Sequence, residues 1–328
     1  MEAANIAAGL NLIDTYISKR VNLYHCKIIV LSEEIAVGDI RNIIYSLITN
    51  LEIRKDASIL VTRSKAEDFI KSSKPTLEKI TAKYYELAVN SENTTGFITN
   101  ENIMSFYTKL NDVFIEPVAI LGGVHDDSVA KVNVTHDGAY KAEEIPILNK
   151  PNTAMMGLAV FKNAKMVGEL DGIETMCYLI VSNRLKNCTI SIPTEISNSG
   201  KITVTLKLKR KTKNSVQMQN GSPYIICKPN LEVNIVSMEE GENYLDKEYI
   251  RQIEESINRY LEVIISKYLY KTSKEYKSDI SGFGKYLVRD YLTIQEWKEV
   301  NWAEIYKDSF FNVEVKTTIN NADLLVKT

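Results

Sequence analysis

The chain has 328 residues, 45% hydrophobic and 25% charged, a balance that excludes a disordered or disulfide-dense protein and a length that exceeds one ordinary core. Its formal net charge is −2, so no global field attracts nucleic acid. The four cysteines, Cys26, Cys177, Cys188 and Cys227, are scattered without a CxxC pair, which removes zinc knuckles and dithiol redox sites and leaves buried thiols.

No run reaches the ~18 apolar residues of a membrane span, and the N-terminus lacks the order of a signal peptide, so the chain as it stands is expected to be soluble. Ile6, Leu10, Ile13 and Ile17 predict a helix over 2–20, and the chain reads as beginning inside a fold with something upstream missing. HCKIIVLSE (25–33) and ASILVTRS (57–64) are apolar runs short enough for buried strands. Helices are expected over 39–48, 66–72, 77–89 and 101–110, the last with Asn100 as N-cap. Helices alternating with all-apolar strands imply an N-terminal α/β layer with partly parallel strands.

From residue 111 helical periodicity is absent, and short apolar runs broken by Gly and Pro predict irregular β structure. GLAVFKNAKMVGELDGIET (157–175) predicts strands over 157–161 and 165–169 and a helix from 172 to about 181. Asp171 falls at the N-cap and Glu174 at N3, the spacing of a capping box, while Glu169 is expected to point to water. In KITVTLKLK (201–209) apolar and polar residues alternate, as in an antiparallel sheet wet on one side. YIICKPNLEVNIVSM and FNVEVKTTI repeat the pattern. Ile250, Ile253, Ile257, Leu261, Ile264 and Tyr268 form one stripe of a helix over 246–270, about 38 Å long, enough to cover that sheet. A shorter helix is expected over 284–291, with Trp297 and Trp302 in the connection to the last strand. The fold class is α+β or α/β multidomain, in three units: 1–114 α/β, 115–184 small and β-rich, and 185–328 an antiparallel sheet with the long helix.

Candidate chemistry is sparse. His125, Asp126, Asp127, His136 and Asp137 share one loop, but their spacing is that of turn chemistry and no metal is expected to be required. His25 at the mouth of a strand reads as structural. No GxSxG, HExxH or GxxxxGK[ST] occurs, so no catalytic, cofactor-binding or metal-ligating residue is assigned and the chain is not expected to be an enzyme. Lys207, Lys209, Arg210, Lys211 and Lys213 form one basic cluster, read as a solvated sheet face, with an anionic lipid surface as the sharper alternative. Of the eighteen tyrosines, Tyr84, Tyr85, Tyr268 and Tyr270 are expected to be partly exposed on helices, in keeping with an interaction protein.

The segment 157–175 resembles the hallmark of the Ger(x)C family of spore germination proteins, the C subunit of nutrient germinant receptors. In the same order as in that family come EAANIAAGLNLIDTYISKRVNLYHCKIIVLSEEIA with its Ser-Glu-Glu-x-Ala motif, SILVTRSKAEDFI, the signature Asp-Ile-x-Gly-Phe-Gly at Asp279 to Gly284, and W-x(4)-W. The resemblance is collinear from Glu2 to about Leu325. It implies a noncatalytic subunit, without cofactor, lipid-anchored on the outer face of the spore inner membrane. It also implies integral membrane A and B subunits as partners, in receptor assembly and signal transduction. The family's lipoprotein signal, lipid-bearing cysteine and first segment have no counterpart here, so the chain reads as a soluble ectodomain. Its ending, Asn-Asn-Ala-Asp-Leu, departs from the family's basic, Gly-containing one, so that edge is expected to pair differently. The alternative is an α/β lipoprotein that itself binds a small nutrient.

Overall fold

A computed structural model describes residues 6–15, 17–18, 20–75, 78–125, 138–145, 153–196, 200–237 and 246–320. The first half alternates helix and strand: α1 (Ile6–Ile13), β1 (Ile28–Ser32), α2 (Glu33–Ala36), α3 (Arg41–Thr49), β2 (Ser58–Thr62), α4 (Ala66–Ser72), α5 (Thr81–Asn90), α6 (Glu92–Thr95), α7 (Ile103–Leu110) and β3 (Val118–Val124). The hairpin β4 (Thr153–Lys162) and β5 (Lys165–Leu170) follows, then α8 (Gly172–Val181). The second half holds β6 (Cys188–Pro193), β7 (Lys201–Gln219), β8 (Ser222–Ser237), the long helix α9 (Lys247–Tyr270), α10 (Gly284–Leu287), α11 (Ile294–Val300), α12 (Trp302–Ile305), β9 (Phe310–Val313) and β10 (Lys316–Ile319).

Two five-stranded sheets result. The first has the order β1-β2-β3-β4-β5; β1, β2 and β3 are parallel, whereas β4 and β5 run antiparallel to their neighbours. β2 is buried at every position, its apolar centre Ile59–Val61 flanked by buried Ser58 and Thr62, as a strand covered on both faces must be. Strands expected in two units, 1–114 and 115–184, therefore share one sheet. The α7 N-cap is Asn102, whose side chain accepts the Ser105 N–H at 2.8 Å, two residues later than the expected Asn100. That shift places Glu101 just ahead of the helix, wholly buried.

The second sheet has the order β10-β8-β7-β6, with β9 also on β8. Ile202, Val204 and Leu206 are buried while Thr203, Thr205 and Lys207 are not, the alternation read from the sequence; irregularities beyond Leu208 shift the register. The sheet is mixed and not wholly antiparallel, because β9 and β10 run parallel to β8. The chain returns through α9, and a crossover of that length brings the next strand back in the same direction. Ile253, Ile257, Leu261, Ile265 and Tyr268 of α9 are buried against this sheet and α8. On the adjoining face of the helix, Glu254, Asn258 and Glu262 accept the backbone N–H groups of Ile319, Thr317 and Val315 at 2.8, 2.8 and 2.9 Å. Four helical residues rise about 6.0 Å and two strand residues about 6.6 Å, so one helix face caps every second donor of the edge strand. A sheet edge that would otherwise template pairing is closed. The expected helix over 284–291 is α10 plus a 3-10 turn, Val288–Asp290, and both tryptophans lie on helices, not in a bare connection.

Candidate functional site

Buried charge concentrates where the two halves meet. Arg63 follows β2 directly, at the carboxyl end of the parallel strands, and its guanidinium forks onto Glu169 of β5, with Nε–Oε1 at 3.0 Å and Nη2 on Oε2. Nη1 takes Glu143, and Lys141 Nζ reaches Glu169 Oε2 at 2.8 Å. Glu169 is only 7% exposed, which corrects the expectation that it faces water. Burial alone would raise its carboxyl, but the Arg63 and Lys141 partners outweigh that and hold it below the ordinary value.

Residues 138–145 lie as a strap across the sheet end. The N–H groups of Gly172 and Ile173 donate to the carbonyls of Tyr140 and Gly138, each at 3.1 Å. The strap presses so close on β3 that a Cβ on Gly123 would stand 2.6 Å from the backbone nitrogen of Glu143. In open α/β sheets the crevice beyond the carboxyl ends is the usual ligand position; here the chain's own Glu143 fills it.

The network continues into the second half. Asp171 caps α8 by accepting the Glu174 N–H at 2.8 Å, and Glu174 accepts the Asp171 N–H at 3.0 Å, a complete capping box as the spacing predicts. Lys271, at the end of α9, donates to both Glu174 oxygens at 2.7 Å and to the Glu169 carbonyl at 3.2 Å. Burial pulls the Lys271 ammonium down, but the Glu174 charge prevails and its pKa is raised. Tyr276 donates to the same carbonyl at 2.7 Å, its ring lying where a side chain on Gly168 would stand. Between Lys271 and Tyr276 the helix widens into a single π turn, Lys271–Glu275, an irregularity often found at functional sites.

Burial, followed by the neighbouring Glu174 charge, pushes the Asp171 carboxyl up to about 6. A folded-state value above the unfolded one means that this group's stability term is full below the unfolded pKa and is lost as pH rises through about 6. Asp171→Ala should cost about 1 kcal/mol, and Asp171→Ser, which keeps the cap without the charge, should restore most of it. Wild type should gain on the Ser variant as pH is lowered from 8 toward 4, in chemical denaturation curves. A constant gap would show that the Asp171 carboxyl has the same pKa in the folded and unfolded chain.

A second buried cluster fastens α6 and α7 to the segment after α8. Glu101 accepts from Lys109 Nζ at 2.9 and 3.0 Å, from Ser105 Oγ at 2.7 Å and from Arg184, while Arg184 also meets Glu92 at 3.3 Å. The third hub is Asp279, opening Asp-Ile-x-Gly-Phe-Gly. Its carboxylate accepts the N–H groups of Gly282 at 2.8 Å and Gly284 at 3.0 Å and the Trp302 indole at 2.9 Å, and its carbonyl accepts the Glu116 N–H at 2.9 Å. W-x(4)-W thus serves the signature directly, and the rings of Trp297, Trp302 and Tyr306 pack in sequence beside it, tilted by 31° and 48° to one another.

These carboxylates hold cations or backbone donors, and the arrangement ties segments together. The thiols of Cys177, Cys188 and Cys227 are buried, and burial pushes Cys188 and Cys227 up to about 12, far from a reactive thiolate. Among the described residues no group of three or more His, Cys, Asp or Glu is placed to hold a metal; Asp126, Asp127, His136 and Asp137 lie outside the described residues. His25 is exposed, unlike the packed histidine expected. Tyr85 and Tyr268 are buried, against expectation, and Tyr270 is exposed. Lys209, Arg210, Lys211 and Lys213 are exposed as expected, while Lys207 pairs with Glu232 at 2.9 Å. The pairing of Arg63 with Glu169 spans 106 residues of chain; its only sequence signal was a charged residue placed directly after a buried strand.

Among the described residues no helix is long and apolar enough to cross a membrane. The family described as "Spore germination protein N-terminal domain" matches residues 1–121, and "Spore germination B3/ GerAC like, C-terminal" matches 156–322. Spore germination protein KC of Bacillus subtilis (strain 168) is 25% identical over 332 residues, covering 99% of this chain and 78% of that protein. YfkR of the same strain is 22% identical over 338 residues, covering 97% and 77%. The crystal structure of the GerBC protein shares the fold, with TM-score 0.65 at 16% identity over 95% of this chain and 83% of that one. With both family regions matched in order, and with the capping box and the Asp279 hub in the segments that carried the resemblance, the chain belongs to the Ger(x)C family of spore germination proteins.

Proposed function

We propose that the protein is a noncatalytic subunit of a nutrient germinant receptor that acts in receptor assembly and carries a conformational signal between its two halves. In this reading the full-length protein is lipid-anchored on the outer face of the spore inner membrane, beside integral membrane A and B subunits. The observation that supports it is the unbroken chain Glu143–Arg63–Glu169–Lys271–Glu174–Asp171, which links the strap, both sheets' connecting elements and the π turn of the long helix. Such a network has discrete alternative pairings, the kind of element whose equilibrium a distant contact can bias. The crevice at the carboxyl strand ends is filled by Glu143, which favours this reading over nutrient capture there.

Spores carrying Arg63→Met should respond to germinant about 10-fold more slowly at unchanged receptor abundance, the size of a typical coupling energy. Glu169→Gln should behave alike. Wild-type germination in both variants, with normal subunit levels on immunoblots, would refute the coupling role. A slow response that tracks lost subunit would reduce the network to a folding device.

A further inference from the structure

We propose that the basic pocket between the bulged stretch of β7 and the C-terminal turn of α8 binds a phosphate-bearing anion, held by Lys186, Lys209, Arg210 and Lys211. The site lies within the second half of the chain and goes beyond the coupling role, on which it does not depend.

In a regular strand alternate residues take opposite faces, so Arg210 would point away from Lys209 and Lys211. The ladder is not regular there. Leu208 faces Leu231, Arg210 faces Asn230 and Lys213 faces Lys228, so residues 208–213 of β7 stand against 228–231 of β8 with two residues over. Bulges of this kind re-aim side chains and are over-represented beside functional sites. Lys209, Arg210 and Lys211 are accordingly all exposed, and the next residue, Thr212, is buried.

The bulged stretch is fixed against α8. Asn183, in the left-handed region at φ 65°, accepts the Thr212 N–H. The Thr212 hydroxyl donates to the Ile180 carbonyl at 2.8 Å, and the Asn214 amide donates to the Val181 carbonyl at 3.0 Å. The Tyr178 carbonyl accepts from the Ser182 hydroxyl at 2.6 Å, and the Leu179 carbonyl from the N–H groups of Arg184 and Leu185 at 2.7 and 3.0 Å. The carbonyls at the negative end of α8 thus have donors of their own and leave the nearby cations uncommitted.

The pocket has a volume of about 310 Å³, and five of the eight residues around it are cations, with no carboxylate among them. Lys207 pairs with Glu232 across the ladder at 2.9 Å. Lys186, Lys209, Arg210 and Lys211 make no ion pair among the described residues. A solvated surface intersperses both signs; a concavity lined by one sign concentrates its field on the opposite one. Four like charges on one hollow also repel each other, and a multiply charged anion relieves that repulsion. A guanidinium fork beside mobile ammonium groups suits the oxygens of a phosphate. No aromatic ring borders the pocket, so bases have nothing to stack on and single-stranded nucleic acid is disfavoured. The headgroup of an anionic phospholipid and a free phosphate compound offer the same chemistry.

The test takes the whole chain through two arms at low salt. One is sedimentation with phosphatidylcholine vesicles with or without phosphatidylglycerol; the other is calorimetric titration with pyrophosphate. Capture that requires phosphatidylglycerol, with a flat pyrophosphate titration, supports a headgroup; saturable pyrophosphate binding without capture supports a free phosphate compound. In the positive arm Arg210→Gln with Lys211→Gln should weaken binding about 25-fold, and Lys186→Gln, on the other wall, about 5-fold, at unchanged melting temperature. Lys74→Gln with Lys79→Gln removes the same charge from exposed positions in the first half and should leave binding within about 2-fold. Two flat arms would overturn the proposal. Indifference to the Arg210 and Lys211 changes would do so too, as would an equal loss in the Lys74 and Lys79 pair, since net charge and not the pocket would then attract the anion.

Discussion

Replacing Ile257 with Asp is expected to abolish cooperative folding of the second half of the chain. Ile257 is fully buried at the middle of α9, within the apolar cluster that includes Val204, Leu206, Leu231 and Leu261. A carboxylate there finds no cation, so either the charge or a neutral carboxyl must be desolvated without a partner, at several kcal/mol beyond the lost packing. The expected loss is about 4 kcal/mol or more, which lies in the range reserved for core lesions. Lys209→Glu, on the exposed side of β7, should change stability by less than about 0.5 kcal/mol. Thermal melts followed by far-ultraviolet circular dichroism compare the two; equal losses would refute the assignment of faces.

Asp279→Ala is expected to be nearly as severe. Three buried donors, the N–H groups of Gly282 and Gly284 and the Trp302 indole, would lose their acceptor at once, and each orphaned donor costs about 1–3 kcal/mol. Asp279→Asn keeps one oxygen and turns an NH2 group toward the remaining donors, for a loss of about 2–4 kcal/mol. Burial pushes the Asp279 carboxyl up to about 7, against the pull of its three donors. The folded value exceeds the unfolded one, so its contribution is full at acid pH and fades as pH rises through about 7. The stability gap between wild type and Asp279→Asn should therefore widen as pH is lowered from 8 to 5. A gap that narrows in urea titrations across that range would mean that the donors, not burial, set the titration. Trp302→Phe isolates the indole bond and should cost about 1–2 kcal/mol.

Local chemistry made some of these features legible in advance. Asp171 and Glu174 stand three residues apart before an apolar run, and that spacing alone specifies the capping box. The stripe Ile253, Ile257, Leu261 and Tyr268 repeats at the helical period, and the alternation from Ile202 to Leu206 at the strand period, so each announces its buried face. Glu169 shows where such reasoning stops. On its own strand it is a polar residue near an end; only the arrival of Arg63 from 106 residues away and of Lys141 from the strap makes it a buried, paired carboxylate.

The sequence by itself determined the longer periodic elements, the buried faces of β7 and α9, the α8 cap and the family, because periodicity, short motifs and that cap are set by interactions within a few residues. The tertiary structure alone decided that the 153–170 hairpin completes the first sheet, that β9 and β10 run parallel to β8, and that Glu254, Asn258 and Glu262 close the edge of β10. It also decided that Trp302 completes the Asp279 hub and that one chain of ion pairs and hydrogen bonds joins the two halves. Those outcomes depend on which surfaces meet after collapse, and a charged or amide side chain carries no local signal of the partner that will desolvate and satisfy it.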